Sequence, residues 1–324
     1  MYSVVVPVYK AQDMLPELHR RLKVVLESLG KPYEIIFVED AGGDDSWTVI
    51  QRLAASDAHL RGLQLGMNFG QHNALLCGIR AAQYEIIITL DDDLQNPPEE
   101  IPKLLNGLTS EYDVVYGTPE TEQHGLWRDV LSVSTKWALQ KAMGAKTARK
   151  ASPFRVFRTY LRDAFRKYDG PYVSIDVLLT WGTTRFAAIT VDHKPSGSSG
   201  YTVRKLIAHA MNMMTGFSVI PLQLASLLGF AFTLFGGVVL LHVVIRYFLQ
   251  GDPVPGFPFL ASLIAIFSGA QMLCLGIIGE YLARMHFRTM NKPSYLVRGV
   301  IGGGQAGSSW MSKDKNLNES RDLS

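Results

Sequence analysis

Apolar runs alternate with amphipathic segments over the first third of the chain. Five short runs rich in β-branched residues have the length and composition of strands: SVVVPVY, YEIIFVED, LRGLQLG, EIIITL and DVVYGT. Helical periodicity marks the segments between them: DMLPELHRRLKVVLESLG, DDSWTVIQRLAAS, HNALLCGIRAAQ and PPEEIPKLLNGL. The strand segments are apolar at nearly every position, which is typical of strands covered on both faces. The pattern predicts an α/β domain with right-handed crossovers and a mostly parallel sheet.

Two longer stretches in the second half of the chain contain no Asp, Glu, Lys or Arg. Residues 222–245 and 257–278 are 24 and 22 residues long. As helices with a rise of ~1.5 Å per residue they would reach ~36 and ~33 Å, enough for a hydrocarbon core of ~30 Å. The connection between them is short and rich in Pro and Gly. These features predict an antiparallel pair of transmembrane helices, with a buried hairpin of a soluble protein as the alternative.

Basic residues flank the outer ends of this pair, whereas the connecting loop carries only Arg246. The flanking residues are Arg204, Lys205, Arg284, Arg288, Lys292 and Arg298. The positive-inside rule then places both ends, and the domain that precedes them, in the cytoplasm. Met1 leads directly into an apolar strand without a basic region, so no signal peptide is expected. The expected location is an inner (cytoplasmic) membrane that the chain crosses twice.

These features divide the chain into five predicted regions. Residues 1–200 form a cytoplasmic domain. Residues 201–220 mix basic and apolar side chains and are interpreted as an interfacial amphipathic helix, with an ordinary connecting helix as the alternative. Residues 221–280 contain the membrane hairpin, and residues 281–301 form a cytoplasmic juxtamembrane segment. In residues 302–324 Gly, Ser, Asn and charged residues dominate, which is typical of a disordered tail.

Composition narrows the possible partners. The formal net charge is only +3, from 32 Lys and Arg against 29 Asp and Glu, which excludes the strong basic footprint of a nucleic-acid-binding protein. Charged residues make up 19% of the chain and hydrophobic residues 47%. The charged fraction is below the ~25% of an average soluble protein, as expected for a membrane protein. Two cysteines, Cys77 and Cys274, exclude a disulfide scaffold.

Polar groups follow the predicted strands at their carboxyl ends, where parallel sheets bind ligands. Strand alternation would point Asp91 and Asp93 to the same side, where two carboxylates ~4–6 Å apart repel by a few kcal/mol. A divalent cation would remove this repulsion, and oxygen ligands suit Mg²⁺ or Mn²⁺, which complete their shells with substrate phosphates. The alternative is a solvated acidic loop. The residues at the strand ends are Pro7, Tyr9, Glu39, Asp40, Asn68, Phe69, Gly70, Asp91, Asp92 and Asp93.

A predicted helix start fixes the residues that follow the three acids. Asn96 can serve as the N-cap, Pro97 fits the first helical position, and Glu99 stands where a capping box has its acid. Gln95 is therefore expected just before a helix N-terminus, beside the carboxylates.

The segment EIIITLDDDLQNPPEEI resembles the DxD segment of family 2 glycosyltransferases with the GT-A fold. It is especially similar to the polyprenyl-phosphate group, which includes dolichyl-phosphate mannosyltransferases and bacterial undecaprenyl-phosphate glycosyltransferases. Five further segments resemble that group in the same order: SVVVPVYKAQDMLPEL, YEIIFVEDAGGDDSW, GMNFGQHNALLCGI, SVIPLQLASLLG and GIIGEYLARM. The resemblance covers residues 2–297. It implies a Rossmann-like GT-A sheet, interfacial helices and a two-helix transmembrane hairpin.

The resemblance also implies roles for the donor side. Asp91 and Asp93 would be the catalytic pair that holds Mg²⁺ or Mn²⁺ together with Gln95. Asp40 would accept hydrogen bonds from the nucleobase, and Asp92 would face the donor sugar or ribose. The remaining donor-binding residues would be Pro7, Tyr9, Glu39 and Asn68. The sequence departs from the family pattern at Lys10, Glu39 and Ala41-Gly42-Gly43, so the nucleobase loop is expected to differ in detail.

On the acceptor side the resemblance implies a phosphate site. Arg128 and Ser132, at i and i+4 of one helix face, would bind the acceptor phosphate. Arg155 matches another family arginine, for which a structural ion pair is an equal alternative. A loop that closes over the donor would include Ser199, Tyr201, Arg204 and Lys205, with a plain linker as the alternative.

The implied activity is the metal-dependent, inverting transfer of a sugar from a UDP- or GDP-linked donor to a membrane polyprenyl phosphate, with undecaprenyl phosphate as the expected acceptor. One alternative is a processive polysaccharide synthase of the same superfamily, although the Q-x-x-R-W motif of such enzymes is absent. Another is a non-catalytic membrane scaffold with a degenerate nucleotide-binding domain. Small residues of the first membrane segment would allow a homo-oligomer to form: Gly229, Gly236 and Gly237.

Overall fold

The computed structural model describes residues 1–119, 152–168, 173–193, 220–250, 256–290 and 293–303. The chain divides into two units. One consists of Met1–Tyr201 together with Lys292–Ser324, and the other of Thr202–Asn291.

The first unit has the predicted alternation of strands and helices and the predicted mostly parallel sheet. Its central strands are mutually parallel: β1 (Tyr2–Val8), β2 (Tyr33–Glu39), β3 (Leu60–Leu65) and β4 (Ile86–Thr89). The helices that connect and follow them are α1 (Leu15–Ser28), α2 (Ser46–Ser56), α3 (Gln71–Ala81) and α4 (Ile101–Gly107). A 3₁₀ turn at Pro98–Glu100 precedes α4.

The outer part of the sheet is mixed. It begins with β5 (Val114–Thr118), which the sequence predicted from the segment DVVYGT. The later elements were not predicted from the sequence: β6 (Arg155–Arg158), α5 (Ile175–Thr180), β7 (Phe186–Thr190) and β8 (Val297–Ile301), with a 3₁₀ segment at Thr159–Phe165. The strand order in the described residues is β7-β5-β6-β4-β1-β2-β3-β8. β6 is antiparallel to β4 and β5, and β8 is antiparallel to β3. A mixed α/β sheet with a parallel centre agrees with the expected GT-A architecture.

The strand β8 lies in the segment that the sequence suggested as juxtamembrane. It pairs Val297 with Leu65, the last residue of β3. The first residue of β8 therefore lies at the carboxyl edge of the parallel strands. The last residue of β7, Thr190, lies at the same edge, because it pairs with Thr118 at the end of the parallel strand β5. The chain thus leaves the sheet after β7 and returns to it at β8 at the same edge.

Helices cover both faces of the sheet, and the strands are apolar for that reason. On one face α1 buries Leu15, Leu18, Leu22 and Leu26, whose spacing of three and four residues forms one helical stripe. On the other face α3 packs against Val5 and the neighbouring strands. Every residue of β1 and β2 is buried, as the continuous apolar pattern indicated.

Gly78 sets how closely α3 approaches the sheet. A Cβ atom at this position would lie 2.3 Å from Val5 Cγ1 and 3.0 Å from Val38 Cγ2. We expect Gly78→Ala to lower the free energy of unfolding by about 1–2 kcal/mol, since overpacking costs ~1–3 kcal/mol and the better helix propensity of alanine returns up to ~1 kcal/mol. Thermal denaturation of the purified protein measures this change. The control is Gly229→Ala, where an added Cβ meets nothing within 4 Å, and an equal shift in both variants would contradict the prediction.

The second unit contains two long helices, α6 (Ile220–Gln250) and α7 (Phe257–Thr289). They are antiparallel neighbours, because later residues of α6 contact earlier residues of α7. The ring of Phe232 meets that of Phe267 edge-on at 5.8 Å, and the Cys274 thiol donates to the Ala225 carbonyl at 3.4 Å. Gly236 of α6 faces the ring of Phe267: a Cβ atom at position 236 would lie 3.1 Å from that ring.

One helix of the described residues is long and apolar enough to cross a membrane by length and composition. Its qualifying window is Ile266–Ala283 in α7, and none of that window is buried. In α6 the corresponding apolar stretch, Ala225–Val239, is shorter. The structure therefore contains two long antiparallel helices, but only one of them meets this criterion, so the predicted two-helix transmembrane hairpin is not confirmed.

Candidate active site

A cleft of about 320 Å³ opens at the carboxyl edge of β1, β2, β3 and β4. Seven predicted site residues line it together: Pro7, Tyr9, Asp40, Asn68, Asp91, Asp92 and Asp93. Val8, Gly70 and Gln71 complete the lining. Glu39, Gln95 and Arg155 are not among the lining residues. The other predicted residues lie outside the part of the chain that the structure describes: Arg128, Ser132, Ser199, Tyr201, Arg204 and Lys205.

Strained backbone surrounds this cleft. Three non-glycine residues have a left-handed conformation: Lys10 at φ 55°, Ala41 at φ 49° and Leu94 at φ 58°. Each follows the end of a strand that contributes to the cleft, namely β1, β2 and β4. A non-glycine residue in this region costs of order 1–3 kcal/mol and persists where the surrounding structure holds it, commonly at functional sites.

The three acids lie beyond β4 rather than in it. β4 ends at Thr89, so the strand alternation invoked from the sequence does not continue through Asp91 and Asp93. A turn with Leu94 in the left-handed conformation brings all three carboxyl-bearing residues to the cleft instead. The predicted clustering is present, but a turn produces it.

Hydrogen bonds orient these carboxylates, two of them from other segments and one from the same turn. Gln71 Nε2 donates to Asp91 Oδ1 at 2.6 Å, and the Tyr9 backbone N–H donates to Asp92 Oδ2 at 2.9 Å. The Gln95 backbone N–H donates to Asp93 Oδ1 at 3.1 Å. Each carboxylate thus has one oxygen held by a neutral donor. For Asp91 and Asp93, the other oxygen makes no hydrogen bond with the residues that the structure describes.

Burial and mutual repulsion disfavour the charged forms of two of the acids. Burial, with the nearby Asp93 carboxylate, raises the pKa of Asp91 to about 6, although Arg155 and the Gln71 hydrogen bond lower it. Burial also raises the pKa of Asp92 to about 6, against the hydrogen bond from Tyr9. Crowded, partly desolvated carboxylates of this kind are stabilised by a cation.

The donor set of the cleft fits a divalent cation that is only partly coordinated by the protein. Within the described residues no group of three or more His, Cys, Asp or Glu could hold a metal ion without help. Asp91 and Asp93 would provide two hard oxygen ligands. Mg²⁺ and Mn²⁺ accept such incomplete sites, because they take the remaining oxygens from phosphates and water.

Metal binding should depend on pH through Asp91. Because its pKa is raised, protonation competes with the cation as the pH falls through about 6. We expect the affinity for Mn²⁺ to fall about tenfold between pH 7 and pH 5, since about one-tenth of a carboxyl with this pKa is ionised at pH 5. Titration of Mn²⁺ followed by electron paramagnetic resonance measures the affinity at each pH. An affinity that is constant over this range would contradict the prediction.

As the pH rises, the same raised pKa values make the metal-free protein less stable, whereas they make cation binding stronger. Asp91 and Asp92 have folded-state pKa values above the ordinary value of 3.8. Their contribution to stability is therefore complete below about pH 4 and is lost as the pH rises through about 6. A bound cation would offset that loss, so added Mn²⁺ should stabilise the protein more at pH 7 than at pH 5.

Asp40 and Glu39 are buried at the end of β2, each with about 3% of its surface exposed. Asp40 accepts the backbone N–H of Phe69 on Oδ1 at 2.7 Å and that of Gly70 on Oδ2 at 2.8 Å. Burial raises the pKa of Asp40, and these two hydrogen bonds oppose the shift. Glu39 Oε1 accepts the Gly42 N–H at 2.8 Å. Both carboxylates thus order the loops at the rim of the cleft.

Arg155 lies behind the acids, with only 1% of its side chain exposed. Its Nε donates to Thr89 Oγ1 at 3.0 Å, and its Nη1 forms an ion pair with Asp176 of α5. The Tyr116 hydroxyl donates to the same Asp176 oxygen at 3.0 Å. Arg155 thus forms a buried ion pair, which is one of the two roles considered from the sequence.

The helix start after the acids differs from the capping pattern expected from the sequence. Pro97 is extended, at φ −63° and ψ 130°, and no side chain caps the 3₁₀ turn that begins at Pro98. Asn96 Oδ1 instead lies 3.3 Å from the His193 ring Nδ1. Glu99 pairs with Arg21 of α1. Two prolines in a row delay the helix by one turn, because the residue before a proline disfavours the helical region.

The family model described as glycosyl transferase family 2 matches residues 3–169. This match covers more than half of the 324 residues. The chain belongs to glycosyl transferase family 2. The predicted membership of this family is thereby confirmed, and the acids of the cleft lie within the matched region.

Solved structures resemble this family 2 glycosyltransferase only distantly. The crystal structure of residues 1–349 of TarS from S. aureus has a TM-score of 0.43 at 15% identity, and the match covers 66% of this chain and 64% of that one. Glucosyl-3-phosphoglycerate synthase from Mycobacterium tuberculosis, in complex with Mn²⁺, UDP-glucose and phosphoglyceric acid, has a TM-score of 0.49 at 16% identity, with 66% and 77% covered. The chain thus spans less than two thirds of the TarS structure.

Gln71 is a site residue that sequence reasoning missed. It is the first residue of α3, and its side chain reaches an acid 20 positions later in the chain. The available signal was its position: Gln71 directly follows Asn68-Phe69-Gly70, at the start of the helix after β3. Its amide became relevant only once the fold had placed α3 beside the turn after β4.

Proposed function

We propose that this family 2 glycosyltransferase transfers a single sugar from a nucleotide-diphosphate sugar to a polyprenyl phosphate, with undecaprenyl phosphate as the acceptor. The observation that carries the proposal is the group of three carboxylates in one cleft at the carboxyl edge of the sheet. Such a group suits a cation-bound diphosphate and has no evident role in stability, because burial disfavours its charge.

The donor would occupy the cleft between the end of β1 and the acids. Tyr9, which is 49% exposed, offers a ring at the mouth for a nucleobase or sugar. Asp91 and Asp93 would hold Mg²⁺ or Mn²⁺ against the diphosphate, with Gln95 as a further predicted ligand. When bound, the cation would stabilise the charge that develops on the leaving nucleoside diphosphate.

The acceptor phosphate needs little activation. A phosphomonoester is already anionic near neutral pH, so its oxygen can attack the anomeric carbon without a strong general base. Attack opposite the leaving diphosphate would invert the anomeric configuration. Arg128 and Ser132 remain the proposed phosphate ligands on the basis of the resemblance. The buried ion pair of Arg155 favours an indirect role for that residue.

The apolar surface of the second unit supports a lipid acceptor. Large apolar side chains are exposed along both helices, which is unusual for a surface in water: Leu227, Phe230, Leu234, Phe248, Leu249, Met272, Leu273 and Leu275. A lipid chain cannot leave the bilayer, so an enzyme that acts on its headgroup must be held at the membrane surface. We propose an inner-membrane location with α6 and α7 in the membrane and the sheet in the cytoplasm.

Mass spectrometry of the lipid product tests the proposal. Purified full-length protein in detergent is incubated with undecaprenyl phosphate, Mg²⁺ or Mn²⁺ and a panel of UDP- and GDP-sugars. We expect one or a few donors to give a lipid heavier by one sugar residue. A polymer would indicate a processive synthase instead. Donor binding without a lipid product from any donor would indicate a scaffold. In a parallel reaction with phosphoglyceric acid in place of the lipid, transfer to that compound and not to the lipid would indicate a soluble acceptor.

A further inference from the structure

Hydrogen bonds link the ends of β2 and β4 across the cleft through the loop before α3. Asp40, after β2, accepts the backbone N–H groups of Phe69 and Gly70 at 2.7 and 2.8 Å. Gln71, the next residue, donates its side-chain amide to Asp91 at 2.6 Å. One short segment, residues 69–71, therefore contacts both an acid of the nucleobase side and an acid of the cation side.

Asp40 is arranged to hold this segment rather than to offer a free carboxylate. Each of its oxygens already accepts one backbone N–H, and only 3% of the residue is exposed. A nucleobase N–H could reach little of its surface. Two charge-assisted hydrogen bonds to adjacent backbone groups fix the position of the loop strongly, since each is worth more than a neutral one.

The backbone geometry transmits this restraint to Gln71. Gly70 has φ 92° and ψ 154°, a conformation that glycine adopts readily and other residues rarely do, and α3 begins at the following residue. The body of α3 cannot shift to compensate for a displaced start, because Gly78 lies directly against Val5 of the sheet. The place of the Gln71 side chain is thus set by the Asp40 contacts and the packing of α3.

The Gln71 amide is suited to orient Asp91 without neutralising it. It is the side-chain hydrogen-bond donor to Asp91 within the described residues, and it binds only Oδ1. A neutral donor fixes the carboxylate plane, preserves its charge and leaves Oδ2 available for a cation. Supports of this kind typically change metal affinity 10–100-fold when they are removed.

We infer that Asp40 and Gln71 are positioning residues for the cation-binding carboxylate of Asp91, acting in series through the loop between β3 and α3. Asp40 acts through the loop, and Gln71 acts directly on Asp91. This inference rests on the proposed function, because it needs a divalent cation at Asp91. It differs from the role in nucleobase binding that the resemblance implied for Asp40.

Binding of Mn²⁺ alone to the full-length protein, followed by electron paramagnetic resonance, tests the inference without any turnover. The variants are Gln71→Met, which keeps the length of the side chain but has no N–H donor, Asp40→Asn, and the double variant. We expect each single variant to weaken Mn²⁺ binding about tenfold or more. The double variant should be no weaker than the weaker single variant, because residues acting in series are not additive.

The matched control is Gln83→Ala, which alters an exposed glutamine just beyond the other end of α3 and should leave Mn²⁺ affinity within twofold of the wild type. Thermal denaturation checks that Asp40→Asn is folded. If it is not, Gln71→Met still decides the inference, because Gln71 is exposed and its replacement should leave folding intact.

Three outcomes would overturn the inference. The first is that Gln71→Met binds Mn²⁺ as the wild type does. The second is that a folded Asp40→Asn binds Mn²⁺ as the wild type does but binds UDP, titrated separately, more weakly. The third is that the two losses of Mn²⁺ affinity add in the double variant. Asp91→Ala separates failure of the inference from failure of the proposed function. If Asp91→Ala weakens Mn²⁺ binding and Gln71→Met does not, only the inference fails. If Asp91→Ala also binds Mn²⁺ normally, the proposed cation site is wrong as well.

Discussion

Replacing Asp91 by alanine should abolish sugar transfer and leave the fold intact. The carboxylate lines the cleft, and burial together with Asp93 raises its pKa to about 6, so the folded protein gains no stability from its charge at neutral pH. We expect the rate of transfer to fall at least about a thousandfold, equivalent to ~4 kcal/mol of transition-state stabilisation. Lipid-product formation with a donor identified in the panel measures the loss.

The control for this prediction is Asp13→Ala, which removes an exposed carboxylate outside the cleft. We expect that variant to retain wild-type activity, and both variants to have melting temperatures at or near that of the wild type. Asp93→Ala should behave like Asp91→Ala. Full activity of either cleft variant would exclude the acids from the reaction and would leave the cleft without a chemical role.

Replacing Arg155 by methionine should strongly destabilise the first unit. The guanidinium has 1% of its side chain exposed and connects Thr89 of β4 with Asp176 of α5. Removing one partner of a buried ion pair costs about 3–5 kcal/mol. We expect the lower end of this range, because the Asp176 side chain is 19% exposed and keeps its hydrogen bond from Tyr116. Thermal or chemical denaturation measures the change.

Arg158→Met is the matched control for Arg155→Met. Arg158 lies at the other end of β6, and 37% of its side chain is exposed. Its ion pair with Asp113 is longer, at 3.7 Å, and a partly exposed pair of this kind contributes at most about 1 kcal/mol. A stable Arg155→Met variant that has lost only its affinity for the lipid acceptor would contradict the structural role. It would support the alternative of a phosphate ligand.

The central elements of the fold follow from the sequence because their pattern is local. β1 and β2 are covered on both faces, so almost every residue is apolar, and the stripe of leucines in α1 repeats every three or four residues. Such patterns can be recognised within a window of a few residues. β6 and β7 were not predicted, because strands of four and five residues carry little periodicity. β8 was not predicted either, because it follows 33 helical residues and only then pairs with β3.

The sequence by itself determined which residue types gather at the cleft. Parallel strands end along one edge, so the acids after β2 and β4 and the aromatic residue after β1 had to lie near one another. Family membership followed from the same motifs. The apolar length of the second unit also follows from composition, although its two helices differ in how fully they meet the length and hydropathy expected of a membrane span.

Only the tertiary structure decided which contact each side chain of the cleft makes. Gln71 meets Asp91 across 20 positions of the chain, Asp40 holds Phe69 across 29, and Arg155 holds Thr89 across 66. These contacts depend on strand register, on the close packing of α3 against the sheet at Gly78 and on left-handed turns. None of these features leaves a periodic pattern in the sequence. Sequence patterns record the burial of whole elements, whereas the direction of a single carboxylate oxygen depends on packing between distant segments.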